Sequence, residues 1–140
     1  MVTIAVDTRE QAPWGFGDLE GVELVRKKLD TGDYSIVGLE DRVCIERKSL
    51  DDWVGTVMTA RDRFYREVER MRRMDFAAVI VEGSVEDVAM GRYTSRAHPS
   101  SVFGFAAELT VRRGVPVFFA GDRVQAQLLA GKLLAFYAAG

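Results

Sequence analysis

Two acids and a lysine, Asp33, Glu46 and Lys48, have the types and spacing that metal-dependent phosphodiester hydrolysis requires. They lie in a segment where two short β-prone runs, 34–37 and 42–45, flank the turn residues 38–41. This pattern predicts a β-hairpin with residues 38–41 as its loop. The opposed pairs are then Asp33 with Glu46, Tyr34 with Ile45, Ile36 with Val43, and Val37 with Arg42.

The predicted register gives the hairpin an apolar face and a polar face, which a shift of one residue would exchange. The apolar face consists of Tyr34, Ile36, Val43 and Ile45. The polar face consists of Asp33, Ser35, Val37, Arg42, Cys44, Glu46 and Lys48. We expect water and substrate to reach the polar face.

In this register the Cβ atoms of Asp33 and Glu46 lie roughly 5 Å apart, so their carboxylates could share one Mg²⁺ or Mn²⁺ ion that keeps several waters. Lys48 follows Glu46 by about 6.6 Å on the same side of the strand. Its ammonium could orient the nucleophile or neutralise charge, while the metal lowers the pKa of a bound water. Each residue alone is better explained by a turn or by an edge strand protected with charges. The three together favour catalysis.

The segment also resembles the XPF/Hef-type (ERCC-type) structure-specific nuclease domain. The central motif of that family is matched in residue type and spacing by Gly32-Asp33, Glu46-Arg47-Lys48 and Asp52. Similarity to the family continues in Val6-Asp7-Thr8-Arg9-Glu10, in Ala78 to Gly83, in His98-Pro99, and in Gly114-Val115-Pro116. The resemblance therefore covers nearly all of the chain.

The resemblance implies that Asp33 and Glu46 are metal ligands and that Lys48 is the catalytic lysine. It further implies that Asp7 supports the metal or the nucleophile, that Arg9 and Glu10 shape the site, and that Arg47 and Asp52 complete the motif. Asp7 is equally well explained as a loop-entry residue, and Asp52 as a helix-start residue that complements the helix dipole. Because Arg47 points away from Glu46, we expect it to pair with a buried or neighbouring acid.

The order of the predicted elements is typical of an α/β fold. We expect strands near 2–7, 22–29, 33–37, 42–48, 76–82 and 115–119, and helices near 50–57, 60–74, 84–90, 99–113 and 123–138. With the family resemblance, this order predicts a restriction-endonuclease-like α/β/α sandwich around a central mixed sheet.

Composition agrees with one catalytic domain spanning residues 1–140, because a chain of 140 residues can bury about two-thirds of its unfolded surface in a single core. The lone Cys44 cannot form an internal disulfide, and no Cys/His cluster suggests zinc. No apolar run suits a membrane and no signal segment is recognisable, so we expect an intracellular protein without a membrane partner.

Positive charge is concentrated in one region of this chain, although its net charge is −2. Residues 42–73 contain nine Lys/Arg and six Asp/Glu, net +3, which leaves −5 for the remainder. Within this region Arg63, Arg66, Arg70 and Arg73 form one helical stripe, and Phe64, Val68 and Met71 form a buried stripe. We expect Arg63, Arg66 and Arg70 to contact a DNA backbone. The alternative is a solvated helix face on which Glu67 and Glu69 make local pairs.

The aromatic residues of the 8–21 loop, Trp14 and Phe16, could stack on an unpaired base, but packing beneath the loop is the favoured interpretation.

The last two helices are apolar on more than one face. These apolar residues are Val102, Phe103, Phe105, Ala106, Ala107 and Leu109, then Val124, Leu128, Leu129, Leu133, Leu134, Phe136 and Tyr137. Central burial would explain them, but we favour a homodimer through the C-terminal helices, as the resemblance also implies.

Together these features predict an Mg²⁺- or Mn²⁺-dependent endonuclease that acts near a flap, fork or junction in DNA repair or recombination. The alternatives are a same-fold nuclease acting on unbranched DNA and a non-catalytic DNA-binding scaffold. Larger enzymes of the family carry helix-hairpin-helix modules that grip duplex DNA. None is recognised in these residues, so an accessory DNA-binding partner could supply that grip.

Overall fold

The structure is a computed structural model that describes residues 2–17 and 19–140. The strands are β1 Val2–Val6, β2 Val22–Arg26, β3 Tyr34–Ile36, β4 Val43–Ser49, β5 Phe76–Glu82 and β6 Val117–Phe119. The helices are α1 Leu50–Thr59, α2 Arg61–Met71, α3 Val85–Ala89, α4 Pro99–Arg112 and α5 Arg123–Ala139. Every predicted element is present, with boundaries that differ by up to three residues.

The six strands form one mixed sheet in the order β2-β1-β3-β4-β5-β6. Strand β3 runs antiparallel to both of its neighbours, β1 and β4. The outer pairs β1 with β2, β4 with β5, and β5 with β6 are parallel. The hairpin predicted from the sequence thus lies in the middle of the sheet, where neighbouring strands fix its position on both sides.

Each face of the sheet carries its own hydrophobic core. On one face Cys44, Ala77, Val79 and Val81 pack against helices α1, α2 and α4. On the other face Ile4, Tyr34, Ile45 and Ile80 pack against helix α5 and the loop that follows β1. The predicted α/β/α sandwich of the restriction-endonuclease type, with a central mixed sheet, is confirmed.

Trp14 and Phe16 are fully buried in the second core. The Trp14 ring stacks on the Tyr34 ring with centroids 4.8 Å apart, and Phe16 meets both rings edge-on. The prediction that these aromatic side chains pack beneath their loop is confirmed, so neither is exposed to stack on a base.

The hairpin has the predicted register, since Tyr34 pairs with Ile45. The predicted apolar face is confirmed because all four of its residues belong to one core. The polar face is less accessible than predicted. Ser35 and Cys44 are fully buried, and Cys44 lies beneath helices α1 and α2. These helices cover the middle of the face, so it is accessible only at its ends, at Val37 and Arg42 on one side and near Lys48 on the other.

The two C-terminal helices lie on opposite faces of the sheet. Helix α4 buries Val102, Phe105 and Leu109 in the first core, whereas α5 buries Ala126, Ala130 and Leu134 in the second. On α5 the opposite side stays exposed. Its exposed apolar residues are Val124, Leu128 and Phe136, with side chains 59%, 39% and 77% accessible. Central burial therefore accounts for only one side of this helix.

Within the described residues, no helix combines the length and apolar character that crossing a membrane requires.

Gly32 lies where a side chain cannot fit. Its φ is +79°, and an added Cβ would lie 2.8 Å from the Cβ of Cys44.

We expect Gly32→Ala to lower the free energy of unfolding by about 3 kcal/mol, because left-handed strain and overpacking add together. Chemical denaturation would measure this. Gly38 is the matched control, because its φ is +90° but an added Cβ would meet nothing within 4 Å. Gly38→Ala should cost only about 1 kcal/mol, and equal costs would contradict the proposed clash.

Candidate active site

Backbone pairing places Asp33 beside Glu46 and Lys48 at one edge of the hairpin. The Asp33 N–H donates to the Ile45 carbonyl at 2.9 Å, and the Asp33 carbonyl accepts from the Asp7 N–H at 2.9 Å. Asp33 is therefore held between the end of β1 and the middle of β4. Glu46 and Lys48 lie two residues apart on β4, so their side chains leave the same face.

The carboxyl of Asp33 lies beside that of Glu46, so each affects the pKa of the other. Burial raises the pKa of Asp33 from 3.8 to about 6, although a hydrogen bond from the Arg47 N–H at 2.8 Å acts in the opposite direction. Burial also raises the pKa of Glu46 well above its usual value, and the charges of Asp33 and Glu67 raise it further. The site therefore holds two acids that repel each other near neutral pH.

Lys48 lies next to the acid pair, with its Nζ atom 3.8 Å from Glu46 Oε2 and 4.9 Å from the centre of the Phe64 ring. It opens into a cavity of about 320 Å³ between β4, α1 and α2. This Lys48 cavity is lined by Lys48, Thr56, Ala60, Arg63, Phe64, Glu67 and Arg70. The Lys48 side chain can thus reach both Glu46 and an anion in the cavity.

Arg47 lies on the opposite side of β4 and is clamped from several directions. Its guanidinium pairs with Glu10 at 3.2 Å and with Glu82 at 3.3 Å. It also donates to the Ala12 carbonyl at 2.8 Å and lies 4.9 Å from the Trp14 ring centre. The prediction that Arg47 pairs with neighbouring acids is confirmed. Because the Arg47 N–H also bonds to Asp33, this clamp fixes the strand that supports the acid pair.

Glu10 belongs to the same clamp, since it accepts a hydrogen bond from the Tyr34 hydroxyl at 2.6 Å. The Trp14 indole donates to Glu82 at 2.9 Å, so both acids around Arg47 have a second partner. Sequence reasoning did not single out Glu82. The available signal was an acid directly after five buried residues of β5.

Asp7 is buried, but local partners occupy its carboxylate. The Asp7 side chain accepts from Arg9 Nε at 2.7 Å and from the Leu29 N–H at 3.0 Å. Burial tends to raise the pKa of Asp7, but these hydrogen bonds outweigh it, and the pKa is lowered. Arg9 also donates to the Leu29 carbonyl. The structure therefore places Asp7 and Arg9 as supports for the loop that leads to Asp33.

Asp52 lies in the first turn of α1 and is exposed. Its N–H donates to the Ser49 hydroxyl, which caps the helix. This position agrees with the helix-start interpretation, in which an acid complements the helix dipole. The structure shows no contact between Asp52 and the acid pair.

The donor set at Asp33 and Glu46 fits a hard divalent cation. Oxygen ligands suit Mg²⁺ or Mn²⁺, and a cation would relieve the repulsion between the half-buried Asp33 and the buried Glu46 when both are ionised. Across 2–17 and 19–140, no group of three or more His, Cys, Asp or Glu side chains could hold a metal. Asp7 therefore does not join the pair as a third direct ligand in this structure, and water would complete the coordination.

The predicted DNA-contacting arginines lie along α2, beside the Lys48 cavity. Arg63 and Arg70 line this cavity, and Arg66 lines the neighbouring surface at the turn between α1 and α2. Arg70 also donates to the Thr31 hydroxyl at 3.1 Å. No ion pair in the described part of the chain neutralises these three arginines, whereas Arg72 and Arg73 pair with Glu69.

Glu46→Gln should raise Tm at pH 8 without divalent cations. A carboxyl whose pKa is higher in the folded than in the unfolded protein contributes stability at pH values below its pKa in the unfolded protein. This contribution is lost as the pH rises through its pKa in the folded protein. The gain from Glu46→Gln should therefore vanish as pH falls from about 8 to about 4. We expect Glu46→Gln to raise the Tm at pH 8 by a few degrees, because about 1 kcal/mol of stability moves the Tm of a domain this size by roughly 4 °C.

Differential scanning fluorimetry across this pH range would measure the effect. Mg²⁺ should raise the Tm of the wild-type protein more than that of the variant. A variant that is less stable than wild type at pH 8 would show that the acid pair is not a source of repulsion.

The chain is similar in sequence to known proteins over most of its length. The ERCC4 domain matches residues 6–130. The 3'-flap repair endonuclease Xpf of Saccharolobus solfataricus is 28% identical over 127 residues, which are 88% of this chain and 50% of that protein. A protein of Methanocaldococcus jannaschii, provisionally named an ATP-dependent RNA helicase, is 28% identical over 119 residues, 84% of this chain and 13% of that protein. The chain thus spans half or less of these curated relatives.

Two solved structures share the fold. XPF from Aeropyrum pernix superimposes with a TM-score of 0.76 at 21% identity, covering 97% of this chain and 65% of that one. XPF from the same organism in complex with DNA gives a TM-score of 0.74 at 24% identity, covering 99% and 66%. These matches establish the α/β/α fold, and the domain match extends over most of the sequence. The chain belongs to the ERCC4 domain family.

Proposed function

We propose that this protein is an Mg²⁺- or Mn²⁺-dependent endodeoxyribonuclease that hydrolyses phosphodiester bonds near a flap, fork or junction in DNA. The observation that supports this most strongly is the pairing of half-buried Asp33 with buried Glu46, with the Lys48 ammonium 3.8 Å from Glu46. A scaffold protein has no physical need to hold two repelling acids beside a lysine. A role in DNA repair or recombination follows from this type of substrate.

Each residue of the site has a distinct role in the proposed reaction. Asp33 and Glu46 would hold the divalent cation, which when bound lowers the pKa of water and offsets charge on the phosphate. Lys48 binds a phosphate oxygen and stabilises the charge that grows on it. Arg47 keeps both acids in place through its backbone and its clamped guanidinium.

The DNA backbone would lie along α2. Arg63, Arg66 and Arg70 are spread over about 10 Å of helix axis, which is about three nucleotide steps of a duplex strand. Because no carboxylate in the described chain neutralises them, their charges remain available to phosphates. The resemblance to Xpf, named a 3'-flap repair endonuclease, favours branched DNA over plain duplex, and an accessory partner could add duplex affinity.

We also propose a homodimer through the C-terminal helices. The exposed residues Val124, Leu128 and Phe136 recur at intervals of four or eight positions, so they form a largely apolar stripe along α5 that the exposed Lys132 interrupts. Covering such a stripe against its own copy is the simplest closed arrangement. Since α4 lies on the other face of the sheet, α5 is the main candidate for the contact.

End-labelled fork, flap, duplex and single-stranded DNA, incubated with Mg²⁺ or Mn²⁺, would test the nuclease activity. We expect branch-selective cutting that requires the cation. Asp33→Ala and Lys48→Ala should each lower the rate at least about 100-fold, because each removes a charge that acts on the reacting phosphate.

Asp41→Ala is the control, since Asp41 is an exposed acid on the loop of the same hairpin. It should cleave like wild type. DNA binding without cleavage by the wild-type protein would favour the scaffold, and equal cutting of all four substrates would favour a nuclease for unbranched DNA.

Sedimentation velocity at micromolar concentration would test the dimer. We expect wild type to sediment as a dimer and Phe136→Glu as a folded monomer, because a buried charge opposes association. Met90→Glu changes another exposed apolar side chain, 66% accessible, away from α5, and should remain dimeric. A monomeric wild-type protein would refute the dimer.

A further inference from the structure

Glu67 is a carboxylate on a cationic helix face that pairs with neither of its arginine neighbours. Arg63 precedes it by four positions and Arg70 follows by three, spacings at which ion pairs commonly form. Nevertheless, no ion pair in the described part of the chain includes Glu67. Glu69, two positions later, pairs with both Arg72 and Arg73, at 3.1 and 3.7 Å. Neither arginine therefore holds the Glu67 side chain through an ion pair.

Glu67 lies on the α2 side of the Lys48 cavity. It lines this cavity together with Lys48, Arg63 and Arg70. After burial and the nearer hydrogen bonds, its negative charge is among the causes that raise the pKa of Asp33, and it also raises that of Glu46. The cavity thus combines cations that attract a phosphate with one carboxylate that repels it.

A carboxylate in a phosphate-binding cavity weakens substrate binding by repulsion, and a role in the reaction would offset this cost. An acid that faces the reacting phosphate can accept a hydrogen bond from water and fix the direction in which that water approaches. Such positioning suits the geometry, because Glu67 lies on α2 whereas the acid pair lies on the sheet.

We propose that Glu67 is a third catalytic carboxylate, which accepts a hydrogen bond from the water that attacks the phosphorus atom. This inference rests on the proposed nuclease function. The oxygen of the water forms the new bond to phosphorus as the bond to the leaving oxygen breaks. The proton that the water releases balances the one that the leaving oxygen takes up from solvent.

Two measurements on the same variants test this role. Glu67→Ala should lower kcat roughly 100-fold, the usual effect of a misplaced reactant, while DNA binding without divalent cations becomes tighter because a negative charge is lost. Glu67→Gln should also bind DNA more tightly but keep kcat within about threefold, since its amide oxygen still accepts the hydrogen bond. Opposite changes in binding and kcat are not expected from a merely structural residue.

Glu69→Ala is the matched control from the same helix and should leave kcat unchanged. The inference is overturned if Glu67→Ala keeps the wild-type kcat, if Glu69→Ala loses as much, or if Glu67→Ala weakens DNA binding. In each case wild-type cleavage would leave the nuclease proposal intact. A wild-type protein that cuts no DNA would instead refute both.

Discussion

The site depends on the pairing of strands β3 and β4, which holds two like-charged groups together. The Asp33 N–H bonds to the Ile45 carbonyl, and the Arg47 N–H bonds to the Asp33 carboxylate. The first bond joins two backbone groups and does not depend on charge, whereas the second favours the ionised form of Asp33. Because both strands lie inside the sheet, the acids cannot separate without breaking the fold.

The two cores contribute differently to this arrangement. Helices α1 and α2 cover one face of the hairpin and leave an opening at Lys48. On the other face the loop after β1 places Glu10 and Trp14 around Arg47. A single residue on β4 thus joins the acid pair to the second core. The second core thus supports the strand that carries the acid pair, and the first core leaves the Lys48 cavity open to solvent.

Most of the fold was predictable because strong local signals agreed with the tertiary environment. Alternation in 34–37 and 42–45 fixed the hairpin, and the stripe of Phe64, Val68 and Met71 identified the buried side of α2. The grouping of Asp33, Glu46 and Lys48 followed from register. Arg73 was predicted to continue the helical stripe of Arg63, Arg66 and Arg70, but α2 ends at Met71 and Arg73 pairs with Glu69, because side-chain pairing depends on rotamers that spacing alone does not specify.

The remaining features depend on contacts between distant parts of the chain. Glu82 joins the Arg47 clamp only because β5 lies beside β4. Glu67 and Lys48 line the same cavity only because α2 packs beside β4. Likewise, the burial of Ser35 and Cys44 depends on helices that cover a face which looks polar in sequence. Local patterns carry no information about such coverage.

The two tryptophans of the chain are divided between the two cores. Trp53 is fully buried with α1 and α4 on one face of the sheet, and Trp14 is fully buried with Arg47 and Tyr34 on the other. Each indole therefore has its own environment, one apolar and one beside a guanidinium. Single-tryptophan versions of the protein would give a separate fluorescence signal for each helical layer, so loosening of one layer could be distinguished from loosening of the other.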